Sequence, residues 1–232
     1  MTASDRTYVV AGCKPWNRTT FDSLLAHRPG RWVFIGSREE LTPERLAELD
    51  PRFVFFLHWS WKVPAAITDR FECVNFHMTD VPYGRGGSPL QNLIARGHRS
   101  SVLSALRMEQ ELDAGPVYLR APIDLDGTAD AILARASDVA AAMVTRIVEE
   151  EPEPVPQSGE VVLFERRTPE QSALGDQQTL DEVHDFIRML DGVGYPPAFV
   201  RVGHLRLEVT RAVRYADRVD ADVRITVERD PS

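Results

Sequence analysis

Phe53-Val54-Phe55-Phe56-Leu57 and Cys73-Val74-Asn75-Phe76-His77 are the stretches on which the fold turns. Each is a short apolar run rich in β-branched and aromatic residues. Such runs suit strands buried on both faces. Two similar runs precede them, Thr7 to Ala11 ending at Gly12 and Trp32 to Ile35 ending at Gly36. Between the runs lie helix-like segments at Thr20 to His27, Thr42 to Leu49 and Pro64 to Arg70. The Thr42-Pro43 start is a favourable helix opening, because proline suits the first turn. Alternation of this kind predicts an α/β fold, a Rossmann-like, mostly parallel sheet with helices on both faces.

The pattern then changes. Pro82 to Pro89 holds three glycines and reads as a loop. Leu90 to Arg96 reads as a helix. Ser101 to Met108 and Pro116 to Ala121 read as strands flanking a turn at Leu112-Asp113-Ala114-Gly115. Thr128 to about Glu150 reads as a long helix whose Ile132, Leu133, Ala136, Val139, Ala140, Met143, Val144 and Ile147 share one face. Glu151 to Gly159 is rich in Pro and Glu and reads as a linker. A strand (Val161 to Phe164), a helix (Thr179 to Leu190) and β segments around Phe199, Leu205 to Val209 and Val223 to Val227 follow. The expected division is a first domain over 1–150, a linker over 151–159 and a small α+β appendage over 160–232.

Composition narrows the class. The 232 residues are 43% hydrophobic, as a globular protein with a sizeable core requires. A net charge of −8 argues against dedicated nucleic-acid binding, which carries a basic footprint. The two cysteines, Cys13 and Cys73, lie in apolar runs and read as buried free thiols. No apolar stretch approaches the ~20 residues that span a bilayer. The start Met1-Thr-Ala-Ser-Asp-Arg6 has no apolar leader core, so a cytoplasmic location is expected. The sequon Asn17-Arg18-Thr19 then reads as chance.

Ligands of parallel α/β sheets bind at the carboxyl ends of strands. Asn75 and His77 alternate onto one side of such a strand end. From these two residues alone, a loop-capping amide and a hydrogen-bonded core histidine are the simpler reading. Asp113, in a common Asp-Ala-Gly turn, says little by itself. The Pro82–Pro89 loop is neither a Walker loop nor a dinucleotide fingerprint.

Together, Asn75-Phe-His77, a loop holding Pro82-Tyr-Gly-Arg85-Gly86, Ser88-Pro89, a helix, and Leu112-Asp113-Ala-Gly115-Pro116 resemble the folate-dependent formyltransferase family. The resemblance covers roughly residues 7 to 150. In the tail, Arg166-Arg167-Thr-Pro-Glu-Gln-Ser172 and Ile187 to Phe199, with its Tyr195-Pro-Pro-Ala-Phe, are similar to segments of sugar N-formyltransferases. Two departures stand out: Met78 to Pro82 replaces the family's Ser-Leu-Leu-Pro, and Ser100 to Leu103 replaces its Thr-Gly-Val-Thr.

The resemblance implies a transferase that moves a formyl group from N10-formyltetrahydrofolate, without a metal, onto the amine of a dTDP- or UDP-linked amino sugar. Another amine, such as that of methionyl-tRNA or an antibiotic or amino-acid precursor, is the alternative acceptor. The departures and the short tail point away from tRNA. The resemblance implies Asn75, His77 and Asp113 as catalytic residues. It implies folate contacts from Trp61, Lys62, Val63, Glu111 and Leu112. Arg85, Gly86, Gly87 and Ser88 are expected at the acceptor, with Lys14 and Trp16 from the first strand-end loop. Lys14 reads equally well as a solvated loop residue, and Trp59 as a core aromatic. The apolar-edged tail leaves room for a homodimer.

Overall fold

The computed structural model describes residues 5–228. Met1 to Ser4, which begin the stretch read as lacking a leader, lie outside them. Within the described residues the chain forms β1 (Thr7–Gly12), α1 (Pro15–Thr20), β2 (Arg31–Ile35), α2 (Pro43–Leu49), β3 (Pro51–Leu57), α3 (Ala65–Thr68) and β4 (Cys73–His77). Next come β5 (Tyr83–Gly86), α4 (Pro89–Ala95), β6 (Ser100–Arg107), β7 (Val117–Asp124) and α5 (Ala129–Glu150). The remainder holds β8 (Val162–Phe164), α6 (Leu180–Arg188), β9 (Ala198–Val202), β10 (Leu205–Arg214) and β11 (Val219–Val227).

Six strands make the main sheet, in the order β2-β1-β3-β4-β6-β7. The β1–β2, β1–β3 and β3–β4 pairs are parallel, and β4–β6 is antiparallel. The apolar runs account for this. Val9, Ala11, Val54, Phe56 and Cys73 alternate onto one face and pack with Leu46 of α2 and Ile67 of α3. Tyr8, Val10, Phe53 and Phe55 alternate to the other face and are as deeply buried. A sheet covered on both faces needs such continuous runs. Local signals set the helix ends. The Thr42 hydroxyl accepts from the Arg45 N–H at 3.2 Å to cap α2, and Asp50 closes it in the left-handed region.

Some elements differ from the sequence reading. The helix expected over Thr20–His27 begins earlier, at Pro15, and continues as a π-helical turn over Phe21–Leu25. The presumed loop Pro82–Pro89 contains β5, which pairs with β8. The presumed linker is anchored. Val155 and Val117 exchange backbone hydrogen bonds of 2.8 and 2.9 Å.

The chain divides into two compact units that interleave in sequence. One comprises the segments up to Gly86, Ser101–Ile123 and Ala134–Leu163. The other comprises Gly87–Ser100, Asp124–Leu133 and the chain from Phe164 onward. The reading in contiguous domains therefore differs from the compact units, for a physical reason. Within the second unit, Gln91 Nε2 donates to the Met189 carbonyl at 3.1 Å, and Arg188 Nη1 donates to the Leu125 and Gly127 carbonyls. These bonds tie α4 and the segment leading into α5 to the tail. The unit's own sheet is antiparallel, in the order β11-β10-β9. Phe199 is buried in it beneath the Arg206 guanidinium, 3.6 Å from the ring centre. Val202, Ile225 and Val227 are exposed.

Candidate active site

In the first unit β4 delivers Asn75 and His77 two residues apart, and the β6–β7 connection delivers Asp113. All three converge. Asn75 Nδ2 donates to Asp113 Oδ1 at 3.3 Å. His77 Nδ1 lies 3.4 Å from Asp113 Oδ2. The same carboxylate oxygen accepts from the Gly86 N–H at 3.0 Å. The other imidazole nitrogen, Nε2, is 2.7 Å from the Gly84 carbonyl oxygen. A carbonyl only accepts, so Nε2 carries a proton there. The carboxylate faces Nδ1, so a second proton on the ring would satisfy both acceptors at once.

Backbone geometry explains the convergence. Gly84 has φ +74°, a conformation open to glycine, and this aims its carbonyl at the ring. Asp113 itself has φ +54°, in the left-handed region that costs a non-glycine residue about 1–3 kcal/mol. Gly115 closes the same turn so tightly that a Cβ would stand 1.9 Å from the Arg107 carbonyl oxygen. The His77 and Asp113 side chains are nearly buried, at 6% and 5% exposure, and Asn75 is half-buried.

The other expected site residues are placed as follows. Arg85 is committed within the protein: Nε and Nη2 donate to Gln157 Oε1 at 3.0 and 2.8 Å, and Nη1 lies 3.4 Å from Glu111 Oε1. Gly86 spends its N–H on Asp113. Glu111 and Leu112 are exposed. Trp61 is exposed and stands edge-on to Trp59, 5.0 Å between ring centres. Trp59 packs against the core, as read from the sequence. Lys62 is exposed, whereas Val63 is a core residue and can offer a ligand only its backbone. Gly87 and Ser88 belong to the second unit. There the Gly87 N–H donates to the Phe164 carbonyl, and Ser88 Oγ accepts from the Arg167 N–H at 3.1 Å.

Lys14 and Trp16 sit at a second polar cluster, beyond β1 and β3. Asn17 is fully buried, and its Nδ2 donates to Ser137 Oγ and lies 3.1 Å from His58 Nδ1. Trp16 stands edge-on to His58, with its indole N–H buried and without a hydrogen-bond partner. Burial pushes the His58 imidazolium down to about 4, and the Lys14 charge adds to this. Cys13 is half-buried rather than buried, with Sγ 3.2 Å from the His58 carbonyl. Cys73 is buried, and burial pushes its thiol up to about 12. Both thiols are free. Gln157 escaped the sequence reading because a Pro/Glu-rich stretch looks like a linker. Its side chain donates to the Asp113 and Gly115 carbonyls, both at 2.8 Å.

Among the described residues no cluster of three His, Cys, Asp or Glu is arranged to hold a metal ion. Among the same residues no helix is long and apolar enough to cross a membrane.

Comparison with known proteins sharpens this picture. Residues 169–226 match the model of the methionyl-tRNA formyltransferase C-terminal domain, so the tail does carry a likeness to the tRNA enzymes. The methionyl-tRNA formyltransferase of Gluconobacter oxydans (strain 621H) is 30% identical over 180 residues, 75% of this chain and 59% of that protein. The chain thus spans about three-fifths of that relative's length. Two solved structures share the fold at low identity. One is HypX from Aquifex aeolicus in complex with tetrahydrofolic acid (17% identity, TM-score 0.72, 89% of this chain and 37% of that one). The other is a sugar N-formyltransferase from Shewanella sp. FDAARGOS_354 (14%, TM-score 0.69, 91% and 99%). The likeness to sugar N-formyltransferases is therefore one of fold. A much stronger match is the solved methionyl-tRNA formyltransferase from Clostridium thermocellum, at 39% identity and a TM-score of 0.93 over 96% of this chain and 99% of that one. At that identity and coverage, this chain belongs to the formyltransferase family.

Proposed function

We propose that the protein is an N-formyltransferase that takes its formyl group from N10-formyltetrahydrofolate and delivers it to a primary amine through Asn75, His77 and Asp113. The observation that carries this reading is the convergence of the three side chains at one strand end. The donor fits the family and the tetrahydrofolate bound in the HypX structure. It also fits the exposed Trp61, Lys62 and Leu112, which a pterin and its tail could meet.

Formyl transfer is acyl transfer to nitrogen. The amine attacks the formyl carbon, a C–N bond forms, and the bond to folate N10 breaks. Charge collects on the formyl oxygen in between. The Asn75 amide and the His77 ring are the donors that would meet it, and one such donor is worth about 3 kcal/mol. Asp113 accepts the proton that the amine loses, and N10 takes one up on release. His77 donates outward only after Nε2 leaves the Gly84 carbonyl, so that loop must yield as the reactants enter.

For the acceptor we propose an aminoacyl amine of the kind methionyl-tRNA carries, because relatives at 30% and 39% identity bear that name. The nucleotide-linked amino sugar is a second reading, favoured by the net charge of −8. The test is the loss of the formyl-folate chromophore with a panel of amines: charged initiator tRNA, and dTDP- and UDP-amino sugars. Turnover with the tRNA is expected. Turnover with an amino sugar nucleotide alone would move the assignment to the second reading.

A further inference from the structure

We propose that Gln157 is a positioning residue that sets the Asp113 carboxylate for the transfer, an inference that rests on the formyl-transfer reading. A side-chain amide has two N–H donors and one oxygen with two lone pairs. Gln157 uses all of them. Nε2 donates to the Asp113 and Gly115 carbonyls, each at 2.8 Å, and Oε1 accepts from Arg85 Nε and Nη2 at 3.0 and 2.8 Å. The backbone exchange between Val155 and Val117 brings the chain to this place.

The turn needs such a clamp. Asp113 is held at φ +54°, and Gly115 has no room for a side chain against the Arg107 carbonyl. A strained residue persists only where its surroundings over-determine it. The Asp113 carboxylate is oriented by Asn75, Gly86 and His77. The backbone that carries it is oriented by Gln157. Fixing the carbonyls of residues 113 and 115 together fixes the rotation of the turn, and with it the direction of the Asp113 side chain.

Two substitutions separate this role from its alternatives. Gln157→Met keeps the length and loses every hydrogen bond. Gln157→Glu keeps an oxygen for Arg85 but turns carboxylate oxygen, in place of N–H, toward two carbonyls. Misplacement of a reacting group by about 1 Å costs about 100-fold. Both variants should therefore lose about 100-fold in kcat, with the KM for formyl-folate within about threefold of the parent. Melting curves and active-site titration on the same samples correct for unfolded protein. If Gln157→Glu keeps the parental kcat while Gln157→Met loses it, the amide serves Arg85 and the proposal is overturned. A fall that only tracks the folded fraction overturns it as well.

A second readout needs no turnover. The ring 15N resonances of His77 report its contact with Asp113. In Gln157→Met they should move toward their positions in Asp113→Asn, and unchanged resonances would contradict the proposal. If the unaltered chain transfers formyl to no amine, the formyl-transfer reading fails while this spectrum still decides the positioning role.

Discussion

His77 and His58 stand at the ends of neighbouring strands, yet their surroundings ask opposite things of them. His77, closing β4, has an acceptor on each nitrogen: the Asp113 carboxylate and the Gly84 carbonyl. His58, just past β3 at φ +49°, meets a donor instead, the Asn17 amide 3.1 Å from Nδ1. Burial and the nearby Lys14 charge hold His58 neutral, with its pKa lowered to about 4. One imidazole thus faces two acceptors, and the other faces an amide donor. Residue type and strand-end position are the same in both. The difference lies in the neighbours that other parts of the chain supply: Gly84 and Asp113 to one ring, Asn17 to the other.

The contrast can be broken most forcefully at Asp113. Asp113→Asn removes the proton acceptor and the negative charge facing Nδ1, and should cost about 1,000-fold in kcat, within the range for a lost general base. Steady-state rates on folded protein check it. Asn75→Ala comes next, at about 3 kcal/mol of transition-state stabilisation, read as kcat/KM. His58→Asn should leave turnover within about tenfold, because it touches none of the three residues. Asparagine keeps an oxygen for Asn17 and tolerates positive φ.

The effect of His58 belongs in the acid limb of stability. The unfolded chain binds a proton on this ring near the ordinary histidine value of 6.5, and the folded chain resists it down to about 4. Stability is therefore full above 6.5 and is lost as the pH falls toward 4, by an amount on the order of 3 kcal/mol. Denaturant titrations between those pH values should show the slope in the parent and lose it in His58→Asn. Smallest of all, Lys14→Met removes only the lesser cause, so the acid limb should move slightly toward 6.5.

How far the sequence foretold these two regions follows the same line. The strands β1, β3 and β4 were legible because buried parallel strands must be apolar throughout. Asn75 and His77 were legible as a pair because alternation along a strand is strict. Asp113 joined them only through the family resemblance, since a common turn sequence carries no address. β5 was not legible: four residues with two glycines form a strand only because β8 supplies a partner 76 residues after its last residue, Gly86. Gln157 was hidden by the composition around it. The Asn17–His58–Ser137 cluster was not foreseen either, because its members lie 41 and 79 residues apart and share no motif.

Under the proposed function the His77 imidazole acts in the transfer and is more than a core histidine with satisfied hydrogen bonds. Single-turnover formyl transfer by His77→Gln, measured beside its tetrahydrofolate affinity by calorimetry, tests this most directly. Folate binding should stay close to that of the parent, with the transfer rate lowered by about 100-fold or more. A folded, folate-binding His77→Gln protein that transfers formyl at the parental rate would contradict it.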